Sequence, residues 1–427
     1  MSVGTGISAH GALLDTVFAQ DPTWLVHARR EGLEAFAGHP DARYERSDMA
    51  HRDVHAFAVA PSTAEVAWQT IAAPYLADGA AGPVIVVAGG SIVATSGCEE
   101  LAQQGVLFCG LRTAAREHEA IVRAHLHTVV APAEHPHLGL GAALWREGAF
   151  VHVKAGVRCA QPLTLVVVAG DDGRGEFVHN LVIAQEGAEV TVVEVIAGAP
   201  TAVPSMNVFV TEVLAAQSAS VKLGAVQDLP AKATSVIMRR AKVDRDASVD
   251  WVMGETGDGY NVIEFGSRLV GTGGRSTSHA VVLGSGRAHM DITAKMVHIG
   301  SFSDSDTSAR GVMQGRARAI YRGFTQIDKG AHGANGQQAE RLLMLSKDSR
   351  ADAIPMLLID ENDVKCGHAA SVGQIDEEQL FYLMSRGISE TEAKRLVIWG
   401  FVEPVLVRMP VDAARIAVEA ALERKLR

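Results

Sequence analysis

Apolar and polar residues alternate in short runs through the middle of the chain, and this pattern gives way to helical spacing at both ends. From about His135 onward the texture is that of strands. Glu147–Val153, Leu163–Val168, Asn180–Ala184, Val190–Val195, Val208–Val213, Val221–Val226, Ser235–Met238 and Val249–Met253 alternate or run apolar over strand lengths. His279–Leu283, Ala294–Ile299, Ala319–Tyr321, Thr325–Ile327 and Leu342–Leu345 continue the series. Small polar turns separate them, among them Glu186-Gly187-Ala188, Gln217-Ser218-Ala219, Asp246-Ala247-Ser248, Arg275-Ser276-Thr277 and Asp304-Ser305-Asp306. The turns recur roughly every 30 residues, a period typical of stacked coils. Little helical periodicity interrupts residues 150–350, which excludes a doubly wound α/β sheet. An antiparallel sandwich and a parallel β-helix remain, and the even repeat with small turn residues favours the β-helix.

The flanks read differently. Asp21-Pro22 starts a helix whose stripe is Trp24, Leu25, Ala28, Leu33 and Phe36, with a stop at Gly38-His39-Pro40. Pro83–Ala88 is expected as a strand and Thr113–His127 as one helix with Ala115, Val122 and Leu126 on a shared face. Toward the other end, Ile354–Ile359 reads as a buried strand. Asp376 then caps a helix bearing Leu380, Phe381, Leu383 and Met384, which Gly387 closes. Ser389 and Glu392 form a capping box for a helix carrying Leu396, Val397 and Trp399, with its end expected at Gly400. Val411–Arg427 is an amphipathic helix. The expected organisation is a mostly helical domain over 1–130, a β-helix core over 131–365 and a helical domain over 366–427.

Composition narrows the function classes. The chain has 427 residues, 48% apolar and 21% charged, as in soluble globular proteins. Its net charge of −10 offers no cationic surplus for a nucleic-acid partner. No apolar run approaches the roughly 20 residues that span a bilayer, and the first residues lack a charged segment followed by an apolar one, so a cytoplasmic protein is expected. Cys98, Cys109, Cys159 and Cys366 form no C-x-x-C pair, which fits a reducing compartment and leaves one chain poorly equipped to hold a four-thiolate cluster in a single loop. No phosphate loop, G-x-S-x-G elbow or H-E-x-x-H helix is present, and Gly271-Thr272-Gly273-Gly274 is expected to be a turn.

Candidate chemistry concentrates at Asp363-Val364-Lys365-Cys366-Gly367-His368. If this segment is extended, Cys366 and His368 face one side, and a thiol beside an imidazole forms a partial ligand set for iron, zinc or sulfane sulfur. His289, His298 and His332 are available to join them only if the coils stack them together. His118, His125 and His127 are close in sequence, but no cysteine or carboxylate nearby completes a metal set, so they read as structural. Glu134 with His137 and Glu176 with His179 share E-x-x-H spacing without a helix to align them, so these pairs read as coincidental.

The segment from Asp363 to Ile388, DVKCGHAASVGQIDEEQLFYLMSRGI, and the following EAKRLVIWGF resemble the SufB/SufD family of iron–sulfur cluster assembly proteins, in particular its SufD branch. A weaker resemblance runs back to about Ala149, and Arg43-Tyr44-Glu45-Arg46 only partly matches the family's N-terminal pattern. The resemblance implies a right-handed parallel β-helix core flanked by N- and C-terminal helical domains. It implies a non-enzymatic scaffold subunit that pairs with a SufB homologue through the C-terminal part of the β-helix. It further implies docking of the ABC-type ATPase SufC on the C-terminal helices, and a transient iron–sulfur cluster shared with the partner rather than one held by this chain alone. His368 is the expected metal- or sulfur-handling residue, with Cys366 beside it. Lys295–Gly300 and Tyr321-Arg322-Gly323 look somewhat SufB-like, which makes a sulfur-accepting SufB role the alternative. A β-helix carbohydrate-active enzyme and a homodimer formed when partners are absent are the remaining readings.

Overall fold

A computed structural model describes residues 14–38, 46–49, 67–76, 82–170, 173–201 and 203–426. The helix stop expected at His39-Pro40 and the Arg43-Tyr44-Glu45 segment lie outside these residues.

The chain winds as a parallel β-helix with two walls. Successive strands alternate between a ten-stranded and a nine-stranded sheet, so each strand pairs with the one a full coil away rather than with its sequence neighbour. On the ten-stranded wall Ser220, Ser248, Arg275, Asp304, Asn335 and Lys365 occupy equivalent positions on successive coils. Their pairings are parallel, which removes the sandwich alternative. Ala319–Tyr321 and Thr325–Ile327 are parts of one strand, Arg318–Ile327. The expected turn at Gly271–Gly274 is present, with Gly273 at φ 73°. The Pro83–Ala88 expectation is met by Val84–Ala88, which joins the ten-stranded wall beside Leu163–Ala169. Strands extend beyond 131–365 at both ends, as far as Lys365–Gly373.

Strand alternation divides the core into three layers. Inward residues such as Val192, Phe209, Ile237, Trp251, Phe265 and Met296 fill the lumen. On the outer face of the nine-stranded sheet, Val208, Val210 and Val236 pack against the helices Thr23–Gly38, Leu111–Glu117, Glu119–His125 and Pro136–Leu144. On the outer face of the ten-stranded sheet, Val193, Val281 and Val312 receive Ile398, Val402, Val405, Val418 and Leu422 from the C-terminal helices Glu390–Leu406 and Asp412–Leu426. The low aromatic content fits this arrangement, because stacked coils bring strands too close for bulky side chains at every position.

Several element boundaries differ from expectation. Thr113–His127 is two helices, Leu111–Glu117 and Glu119–His125, broken at His118 (φ −128°, ψ 39°). The break lets Val122 and Leu126 reach the same apolar cluster as Leu111 and Ala115. The helix expected to stop at Gly400 continues to Leu406, because Val402, Val405 and Leu406 still find burial against the sheet. Burial outweighs the weak helix propensity of glycine, about 1 kcal/mol. At the N-terminal side, Arg29 lies wholly buried in the helical layer, bonded to Asp21 (Nε–Oδ2 3.0 Å) and to the carbonyls of Ala143 and Trp145.

Candidate functional site

Among the described residues the final coil of the β-helix has no successor. Its two strands, Arg350–Ile359 and Lys365–Gly373, are the terminal members of the nine- and ten-stranded sheets. Ile354–Ile359 was expected to be buried, yet Leu358 is 48% and Ile359 41% exposed. The physical reason is position: among the described residues, this strand of the last coil has a strand partner on one side only. Unpaired backbone N–H and C=O groups along such an edge make a template for another chain.

Cys366 and His368 lie on this edge. Cys366 pairs with Gly336 and His368 with Gln338, and these strand partners point into the lumen. The two-residue spacing therefore does place thiol and imidazole on one side, facing the open mouth of the β-helix. Cys366 is half-buried against Ile327, Ala331, Ala334 and Val364, and burial raises its thiol pKa. His368 is exposed.

The coils below supply further polar groups. A methyl group placed on Gly336 would lie 3.4 Å from His298 Nε2 and 3.5 Å from Cys366 Sγ, so the two side chains flank one small gap. His298 is buried and accompanied by Ser303 (Nδ1–Oγ 2.9 Å) and Ser305 (Nε2–Oγ 2.8 Å). Burial pushes its pKa down to about 4, leaving the ring neutral near pH 7. Glu340 also points inward, is fully buried, and has no hydrogen-bond partner on either carboxylate oxygen. A methyl on Gly323 would meet Glu340 Oε1 at 2.0 Å and Gln338 Oε1 at 2.9 Å, so only glycine leaves room for this carboxyl across the lumen. Burial raises the Glu340 pKa to about 7. The Tyr321 hydroxyl and Gln338 Nε2 are buried without partners as well.

The structure thus brings His298 beside Cys366 and leaves His289 and His332 elsewhere. His289 meets Ser47 at 2.8 Å, and His332 approaches Glu361 at 3.4 Å on the surface. Glu340 and Gln338 were not singled out from sequence, and Tyr321 was singled out only within the SufB-like Tyr321-Arg322-Gly323. Their signal is an inward register position occupied by a polar residue, visible only once the coils are aligned. The reading that no carboxylate completes a metal set near His127 needs correction. His127 and His179 come together with Glu212, a carboxylate 85 residues beyond His127 in sequence.

The C-terminal helices present a second surface. Asp376 caps Glu377–Ser385 through Glu378 N–H (2.9 Å), and Ser389 caps the next helix through Glu392 N–H (3.3 Å). The apolar face of the first of these is open to solvent: Phe381 is 73% exposed, and Tyr382 and Met384 are exposed as well. By contrast, Glu390–Leu406 and Asp412–Leu426 are fixed to the sheet and to each other, through Arg310–Phe401 O (3.0 Å) and Trp399–Glu423 (2.7 Å). Among the described residues no helix is long and apolar enough to cross a membrane.

Comparison with known proteins identifies the family. Residues 166–401 match the family described as SUF system FeS cluster assembly, SufBD core domain. The chain is 38% identical over 331 residues to the iron–sulfur cluster assembly protein SufD of Bacillus subtilis, covering 77% of this chain and 76% of the relative. It is 28% identical over 316 residues to the iron–sulfur cluster assembly protein SufB of the same organism, covering 74% and 68%. An iron–sulfur cluster assembly SufBD family protein of Staphylococcus epidermidis is 29% identical over 316 residues, covering 74% and 68%. The family match spans more than half of the chain and the higher identity falls on the SufD relative, so the chain belongs to the SufB/SufD family, in its SufD branch.

Proposed function

We propose that this chain is a non-enzymatic scaffold subunit for iron–sulfur cluster assembly, pairing edge to edge with a SufB-like homologue and docking a SufC-like ATPase. The observation that carries the reading is the open last coil, where unpaired strand edges surround Cys366 and His368. A partner coil laid on this edge would extend both sheets and enclose the two side chains. One thiol and one imidazole make an incomplete set for an iron–sulfur cluster, so the remaining ligands come from the partner. The cluster is cargo assembled at the junction. Neutral His298 and the raised carboxyl of Glu340 lie behind it as groups able to accept or share protons.

Co-expression with the two partners tests the site. His368→Ala is expected to leave the complex intact by size-exclusion chromatography while lowering cluster yield at least about 10-fold, the scale on which metal-site residues act. Cys366→Ser should give a smaller loss. Unchanged cluster absorbance in the His368→Ala complex would remove this residue from the ligand set.

The exposed apolar face of Glu377–Ser385 supports docking of the ATPase there. Burying an aromatic side chain such as Phe381 contributes roughly 1.5–3 kcal/mol. Phe381→Glu is therefore expected to weaken ATPase binding at least about 10-fold in a titration, with no change in the melting temperature of the free chain. Equal affinity would move the docking surface off this helix. Recovery of the chain only as a homodimer, with both partners present, would favour the self-paired reading.

A further inference from the structure

On the outer face of the nine-stranded sheet, away from the lumen mouth, three metal-ligating residues meet. His127 follows the helix Glu119–His125, His179 lies on the strand Phe177–Ala184, and Glu212 lies on the strand Ser205–Ala215. Their candidate ligand atoms all fall within 4.8 Å of one another. The two strands are parallel neighbours, paired through His179–Val210 and Leu181–Glu212. Both side chains point out of the lumen, toward the N-terminal helices.

Glu212 organises the loop that covers it. Its Oε1 accepts the His127 backbone N–H at 2.7 Å, and its Oε2 accepts those of Val129 (2.7 Å) and Val130 (3.0 Å). The His127 ring stands edge-on to that of His179, with centroids 4.9 Å apart. His179 Nε2 lies 2.8 Å from Glu212 Oε1. His127 Nε2 is sealed from solvent with no hydrogen-bond partner. Buried polar atoms are rarely left so, and each is destabilising unless something engages it.

We propose that His127, His179 and Glu212 form a site for one divalent cation of borderline softness, Zn²⁺ or Fe²⁺, that fastens the N-terminal helices to the β-helix. Two imidazoles and one carboxylate suit these ions, whereas Mg²⁺ and Ca²⁺ favour all-oxygen sets. The ion takes His127 Nε2, His179 Nε2 and Glu212 Oε1. The three backbone N–H groups on Glu212 hold the carboxylate in position, as outer partners do at metal sites. The site shares no residue with the lumen mouth.

Metal uptake by the full chain decides the matter. Cys366→Ser and His368→Ala are introduced together so that the lumen mouth contributes nothing, and the protein is stripped with a chelator. Addition of Co²⁺ is expected to give one bound ion per chain, with visible d–d absorption that Zn²⁺ displaces. X-ray absorption of the Zn²⁺ form should show nitrogen and oxygen neighbours without sulfur. His127→Gln and His179→Gln should each weaken binding at least about 100-fold. Uptake far below one equivalent by this folded background chain would overturn the proposal and leave a purely hydrogen-bonded clasp. So would sulfur ligation, or full-strength binding by folded His127→Gln. If a glutamine variant fails to fold, stoichiometry and ligand type in the background chain still decide.

Discussion

Replacing Arg239 by Met is expected to lower the stability of the isolated chain by about 3–5 kcal/mol, the usual scale for removing one partner of a buried charge network. Arg239 lies in the lumen with no solvent exposure. Its guanidinium spans Glu194 (Nη2–Oε1 3.3 Å) and Glu255 (Nη1–Oε1 2.9 Å), which are 2% and 0% exposed. Burial alone would depress the guanidinium pKa, yet the two carboxylates hold it above its ordinary value. For Glu255, burial outweighs the attraction of Arg239 and the pKa is raised. Removing the arginine strands two carboxylates in a cavity without a counter-ion. Urea denaturation measures the loss. The triple variant Arg239→Met, Glu194→Gln, Glu255→Gln should recover much of it, since the charges are removed together. A single-variant loss below about 1 kcal/mol would mean that the lumen is hydrated at this level.

The second large effect depends on pH and belongs to Glu340. In the folded chain burial raises its pKa from an ordinary 4.5 to about 7. Below pH 4.5 both folded and unfolded states are protonated there, and the residue contributes no pH dependence. Between 4.5 and 7 the unfolded chain releases the proton while the folded chain keeps it, so stability falls as pH rises. Above 7 the deficit is constant, about 3 kcal/mol at roughly 1.4 kcal/mol per unit. Glu340→Gln removes the ionisation and keeps the shape. It should match the parent near pH 4.5 and exceed it by about 2–3 kcal/mol at pH 8, the amide's own unpaired N–H taking up the remainder. Urea midpoints across this range, compared variant against parent, isolate the term from other titrating groups. A difference that does not change with pH would show the carboxyl to be ionised in the folded chain throughout.

The fold was largely legible because a β-helix writes its period into the sequence. Turns such as Glu186-Gly187-Ala188 and Asp246-Ala247-Ser248 mark the coils, and alternation marks the inward face. Cys366 and His368 were legible because both lie within one strand, where spacing alone sets direction. The placement of Glu340, Tyr321 and His298 was not, since their neighbourhood arises from register between coils; His298 was named only as one of three histidines that stacking could bring in. The same holds for His127 and Glu212, which meet only when the N-terminal loop settles on the sheet. Local pattern could not show that Phe381 stays exposed, because an amphipathic stripe looks identical whether its cover is the same chain or another. Gly400 misled for the opposite reason: a local breaker was overridden by burial on both sides of it.

The two ends of the β-helix differ, and that sets how far strand pairing can spread. One end shows parallel strands of ten and nine residues, Arg350–Ile359 and Lys365–Gly373. At the other, Ser91–Ser96 and Val106–Gly110 each run antiparallel to the strand beside them and are only six and five residues long. Fibre growth requires the front of one molecule to match the back of the next, whereas among the described residues the long edge finds its equal only in another long edge. An assembly joined that way is complete at two members, and the repetitive backbone that could have seeded a filament is instead a terminator.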